Sequence, residues 1–195
     1  MISDIKSFFW MLFKGPKFYS TLFMLILTKF KPNKDSPKDI EVATSWCKDN
    51  LTTIEDCFQD IGIPVSDDSM EEVFSDEYTS QINNIIHSSQ SDFGGGGHST
   101  LLYIICEKLG LMNVIETGVA YGWSSAAILK SLAKRKGRLI SIDMPMLHQT
   151  DYHLIGIAVE PDLKDYWDLK RVPDRYGLPK AILTMKGCLE LVHYD

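Results

Sequence analysis

Two carboxylates and a glycine turn are the residues of this chain best suited to do chemistry. The run Glu116-Thr117-Gly118-Val119-Ala120-Tyr121-Gly122-Trp123-Ser124-Ser125 follows the apolar Val114-Ile115, and Asp143 closes the next apolar run, Leu139-Ile140-Ser141-Ile142. Gly118 lets the chain turn sharply off a strand, and Gly122 lets a helix start approach a ligand with no β-carbon between them. Asp143 is placed to accept hydrogen bonds from a ribose diol, which makes a nucleoside-bearing ligand the natural tenant. The two glycines lie four apart with Ala120 between them, not in the G-x-G-x-x-G spacing that seats a diphosphate on the helix end. Glu116 repels phosphate but suits an ammonium, directly or through water. S-adenosylmethionine offers an ammonium, a ribose diol and an adenine on one molecule. The plainer alternative is an ordinary strand-to-helix turn that holds no ligand.

These residues need a strand, turn, helix and second strand to position them, and the pattern supplies all four. Residues 114–116 read as a short buried strand, 124–133 as a helix closed by Lys134-Arg135-Lys136 and Gly137, and 139–143 as a second strand. Later, Pro161 opens a short helix, 168–172 is a third strand, 174–185 is mostly helix and 189–194 is a fourth strand. The fold class expected is α/β: a doubly wound, Rossmann-like, mostly parallel sheet with helices on both faces, preceded by a helical N-terminal region. Upstream, Ile40, Ala43, Cys47, Leu51, Ile54 and Phe58 recur at helical steps, and a second helical stretch carries Ile82, Ile85 and Ile86. Four consecutive glycines end the segment 88–97, and His98-Ser99-Thr100 caps a helix over 101–109 that Gly110 stops. The chain thus divides into an apolar, basic segment 1–34, a helical lead-in 35–87 and a core 88–195.

The run from Asn113 to Ser125, followed by Gly137-Arg138-Leu139-Ile140-Ser141-Ile142-Asp143, resembles the class I S-adenosylmethionine-dependent methyltransferases, in a bacterial-type small-molecule subgroup. Phe93-Gly94-Gly95-Gly96-Gly97-His98 is similar to a glycine-rich lead-in of that subgroup. The resemblance covers residues 88–195. It implies that Glu116, Gly118, Ala120, Gly122 and Ser124 line the methionine end of the cofactor, that Val119 and Tyr121 also belong to the cofactor site, and that Asp143 holds the ribose. It also implies that Asp174 lies near adenine, against the simpler reading of Asp174 as a helix N-cap. Asp195, in His193-Tyr194-Asp195, would then stand beside the transferred methyl as a base or as a ligand to a divalent metal. His193 itself reads as a strand residue held by a core hydrogen bond, and His148 and His153 as surface residues. A chain of this family normally continues with a fifth strand and further helices. The expectation is therefore a fragment, an early-terminated reading frame, or a protein completed by a partner surface, with homo-oligomerisation among the outcomes. Two other functions stay open: a non-catalytic nucleoside-binding relic and an NAD-dependent oxidoreductase.

Composition narrows the partners. The chain has 195 residues, is 45% hydrophobic and carries a net charge of −6, which argues against a nucleic-acid binder working by broad phosphate neutralisation. That average hides a split: residues 1–34 hold six lysines and one aspartate, or +5, whereas residues 35–195 hold 14 basic and 25 acidic groups, or −11. Cys47, Cys57, Cys106 and Cys188 lack paired spacing and read as free thiols in a reducing, cytoplasmic compartment. The apolar stretch 8–30, broken at Lys14-Gly15-Pro16-Lys17, is too short to span a bilayer, and no small-residue cleavage site follows it. Two readings remain for it: helices packed on the main domain or on a second subunit, or a peripheral membrane contact. The partner expected at the site is a small-molecule acceptor.

Overall fold

The structure, a computed structural model, describes residues 18–19, 23, 27, 37–63, 73–89, 92–94, 98–144, 151–185 and 188–194. Two compact units emerge, residues 8–66 and residues 67–195. The first contains helices α1 (Pro37–Asp49) and α2 (Ile54–Asp60), where the Thr53 hydroxyl caps α2 by accepting the Asp56 amide at 3.1 Å. Helix α3 (Asp76–His87), which the sequence grouped with the lead-in, belongs to the second unit. Its approach is fixed by Phe74, edge-on to Trp123 at 5.1 Å, and by Lys130 Nζ, which donates to the Val73 carbonyl at 3.1 Å.

The second unit is the expected α/β core. Helix α4 (Ser99–Lys108) precedes β1 (Asn113–Thr117), α5 (Trp123–Ala133), β2 (Arg138–Ile142), β3 (Trp167–Lys170), α6 (Asp174–Thr184) and β4 (Leu191–Tyr194). The four strands form one sheet in the order β3-β2-β1-β4, and every pairing is parallel. Because side chains alternate along a strand, the two faces part cleanly. Val114 and Leu139 pack against Ile128, Leu129 and Leu132 of α5 and Cys106 of α4, while Ile115, Ile140 and Ile142 pack against Ala181 and Met185 at α6. Both faces are covered, as a parallel sheet requires.

Several boundaries differ from the sequence reading for local reasons. The third strand ends at Lys170, not Val172, because the Val172 amide bends back to the Lys170 carbonyl. The fourth begins at Leu191, just after Glu190, whose amide donates to the Asn113 carbonyl at 3.0 Å and whose carboxylate accepts the Met112 and Asn113 amides at 2.6 and 2.8 Å. His98 occupies the cap position of α4 without making a side-chain cap bond. Lys136, not Gly137, takes the left-handed turn after α5, with φ +55°. Gly137 is needed for space, since a β-carbon there would lie 2.6 Å from the Met112 carbonyl oxygen. Pro161 opens a 3-10 helix, Pro161–Tyr166.

Candidate functional site

The register of β1 with its neighbours builds the most polar part of the interior. Glu116 sits beside Ser141 of β2 and His193 of β4, all on the face covered by α5. Its side chain is fully buried. The Glu116 carboxylate accepts three hydroxyls, from Ser124 at 2.6 Å, Ser125 at 2.5 Å and Ser141 at 2.7 Å, and His193 Nδ1 stands 3.5 Å from Oε1. Trp167 Nε1 extends the chain by donating to the Ser141 hydroxyl at 2.8 Å. A carboxylate removed from water needs such donors, and here the protein provides them. The Glu116 carboxylate thus lies behind the turn, enclosed by serines.

The enclosure fixes the polarity of the turn. A serine hydroxyl has a single proton, and Ser124 gives its own to Glu116. Toward any further partner Ser124 offers lone pairs only, as Ser141 does toward Trp167. Of the three serines only Ser124 has measurable exposure, 8% against 0% for the other two.

The turn itself runs through left-handed backbone at Gly118 (φ +77°), Ala120 (φ +48°) and Gly122 (φ +86°). Its closure is the Gly122 amide donating to the Val119 carbonyl at 2.7 Å. Gly122 caps α5 with no side-chain bond, so the first amides of the helix face the carboxyl edge of the sheet without intrahelical partners. The close approach expected of a ligand at Gly122 is made instead by the protein. A β-carbon there would lie 2.7 Å from the Gly156 α-carbon, and one at Gly156 would run into the Trp167 ring. The segment holding Gly156 is tied down by its own amide to the Ala120 carbonyl (3.0 Å) and by the Ala158 amide to the Tyr121 carbonyl (2.9 Å). Tyr121 is buried, and its hydroxyl accepts the Phe93 amide at 3.3 Å while the two rings sit 5.0 Å apart. It fastens the start of the glycine-rich lead-in to the turn.

Asp143 ends β2 where the sequence placed it, 9% exposed. Oδ1 accepts the Val119 amide at 3.1 Å and Oδ2 pairs with Arg171 Nη1 at 2.5 Å. Burial pushes its pKa up, outweighing the opposing pull of Arg171 and the Val119 amide. The Arg171 guanidinium also lies 5.7 Å from the Tyr152 ring centre. Asp174 is the first residue of α6, after Pro173 at the cap position, so the N-cap reading is corrected to a first-turn acid. Its pKa too is raised by burial, and its charge raises that of Asp143, which puts the two acids in one electrostatic neighbourhood. Asp195 lies outside the described residues, as does His148, whereas His153 is exposed. Among the described residues no group of three or more His, Cys, Asp or Glu could hold a metal ion.

Sequence reasoning missed Ser125, Ser141, Arg171 and Gly156. Ser141 had a readable signal, a small polar residue inside an apolar parallel strand; the others depend on register and loop path. The Thr117 hydroxyl at the end of β1 is buried without a hydrogen-bond partner among the described residues.

No protein-family model matches the chain, and no curated protein does. Among solved structures it is similar to the SAH-bound methyltransferase PaMTH1 of Podospora anserina, with a TM-score of 0.41 and 9% identity. The likeness covers 77% of this chain and 56% of that one, so the chain matches little more than half the length of that structure.

Proposed function

We propose that the core is an S-adenosylmethionine-dependent methyltransferase acting on a small hydroxylated or sugar-like acceptor by in-line transfer. The observation that carries this reading is the polarity of the turn. With the Ser124 proton committed to the buried Glu116, the hydroxyl at the helix start accepts hydrogen bonds and cannot donate one, which favours an ammonium over a diphosphate. Asp143 has lone pairs beyond those used by Val119 and Arg171, enough to take a ribose hydroxyl. The first-turn amides of α5 suit the carboxylate of an amino acid. Asp174 stands near enough to Asp143 to border an adenine. When bound, the cofactor supplies a methyl group on a sulfonium, and alignment with exclusion of water is then the protein's main task.

A non-catalytic nucleoside-binding role is the second reading, and the pairing of Arg171 with Asp143 bears equally on both. Calorimetric titration with S-adenosylmethionine, S-adenosylhomocysteine, adenosine and NAD separates them. Binding of the first two supports the proposal, NAD alone overturns it in favour of an oxidoreductase, and adenosine binding without S-adenosylmethionine binding supports the second reading.

A further inference from the structure

We propose that the helical face bearing Tyr19, Phe23 and Leu27, in a segment whose sequence is rich in lysine, lies on an anionic lipid bilayer. This inference is independent of the methyl-transfer reading. The three residues are helical, and their four-residue spacing sets them on one face. They are 48%, 60% and 39% exposed. By contrast, residues 113–143, which hold β1, α5 and β2, leave no large apolar side chain exposed. The same unit of the chain also exposes Ile40, Val42 and Trp46.

Charge selects the occupant. In the sequence, Lys14 and Lys17 precede these three positions and Lys29 and Lys31 follow them, in a segment 1–34 of net charge +5, while the remaining residues carry −11. Aromatic and aliphatic side chains with lysines alongside match a headgroup region that is apolar beneath and negative at its surface. A second copy docked stripe to stripe would bring two +5 segments together, which opposes that arrangement. No helix among the described residues is long and apolar enough to cross a membrane.

The full chain is to be co-sedimented with vesicles of phosphatidylcholine alone and of phosphatidylcholine mixed with phosphatidylserine. The expected result is sedimentation with the mixed vesicles, weakening as salt is raised. A Phe23→Ser, Leu27→Ser variant should lose roughly tenfold in partitioning, and a Lys29→Glu, Lys31→Glu variant should lose the preference for anionic lipid. Circular dichroism confirms that both are folded. Equal partitioning of wild type and both folded variants overturns the proposal. So does absence from all vesicles, and a dimer in sedimentation velocity that the Phe23 and Leu27 substitutions dissolve would then name a second copy as the occupant.

Discussion

Both oxygens of Asp143 have partners inside the protein, the Val119 amide on one and Arg171 on the other, and this makes its replacement informative. Asp143→Ala should weaken S-adenosylhomocysteine binding by about 1–3 kcal/mol, the size of lost hydrogen bonds to a diol, measured by titration calorimetry. Asp143→Asn keeps an acceptor for Val119 and separates the effect on ligand from the effect on the turn; unchanged affinity in both folded variants removes the ribose assignment. Cys106 gives a second residue-scale test. Burial pushes its thiol up to about 12, so the folded protein holds that proton more tightly than the unfolded chain does. Unfolded thiols ionise near pH 8.5, and above that the unfolded state binds fewer protons, so stability falls with rising pH in the window from there to about 12. Urea titrations across alkaline pH should show that decline, and a Cys106→Ala variant, less stable throughout, should show a shallower one.

At the scale of elements, the turn between β1 and α5 is held by contacts on both sides. Gly122→Ala places a methyl against the Gly156 backbone in a left-handed conformation, and a loss of roughly 2–4 kcal/mol is expected from strain and displacement together. Denaturant unfolding measures it, and a loss below about 0.5 kcal/mol would show that the segment around Gly156 yields freely. This strand, turn and helix were legible in the sequence because a buried parallel strand is a short apolar run and a helix repeats at three and four residues. Asp143 was legible too, as the acid ending the second run. The serine cage was not, since which hydroxyls meet Glu116 is decided by strand register and by the pitch of α5, and neither is written in local spacing. Gly122 was noticed for its bare α-carbon, but its contact with Gly156 was not foreseen, because the path of residues 151–160 carries no periodic signal.

For the molecule as a whole, a ligand seated at the carboxyl edge stabilises everything coupled to the sheet. S-adenosylhomocysteine at a hundred times its dissociation constant should add about 2.7 kcal/mol and raise Tm by roughly 5–10 °C in a chain of this length, which differential scanning calorimetry reads. No rise at saturation, with NAD raising Tm instead, would point to the oxidoreductase. The contact of Gly122 with Gly156, and of Gly156 with Trp167, also constrains how such a chain diverges. A side chain at position 156 is admissible only where the indole has first given way to something smaller, so Gly156→Ala should be tolerated better beside Trp167→Leu than alone, as compared by thermal midpoints. Three positions distant along the polypeptide are thereby tied together by steric contact, so a change at one sets what the other two can accept.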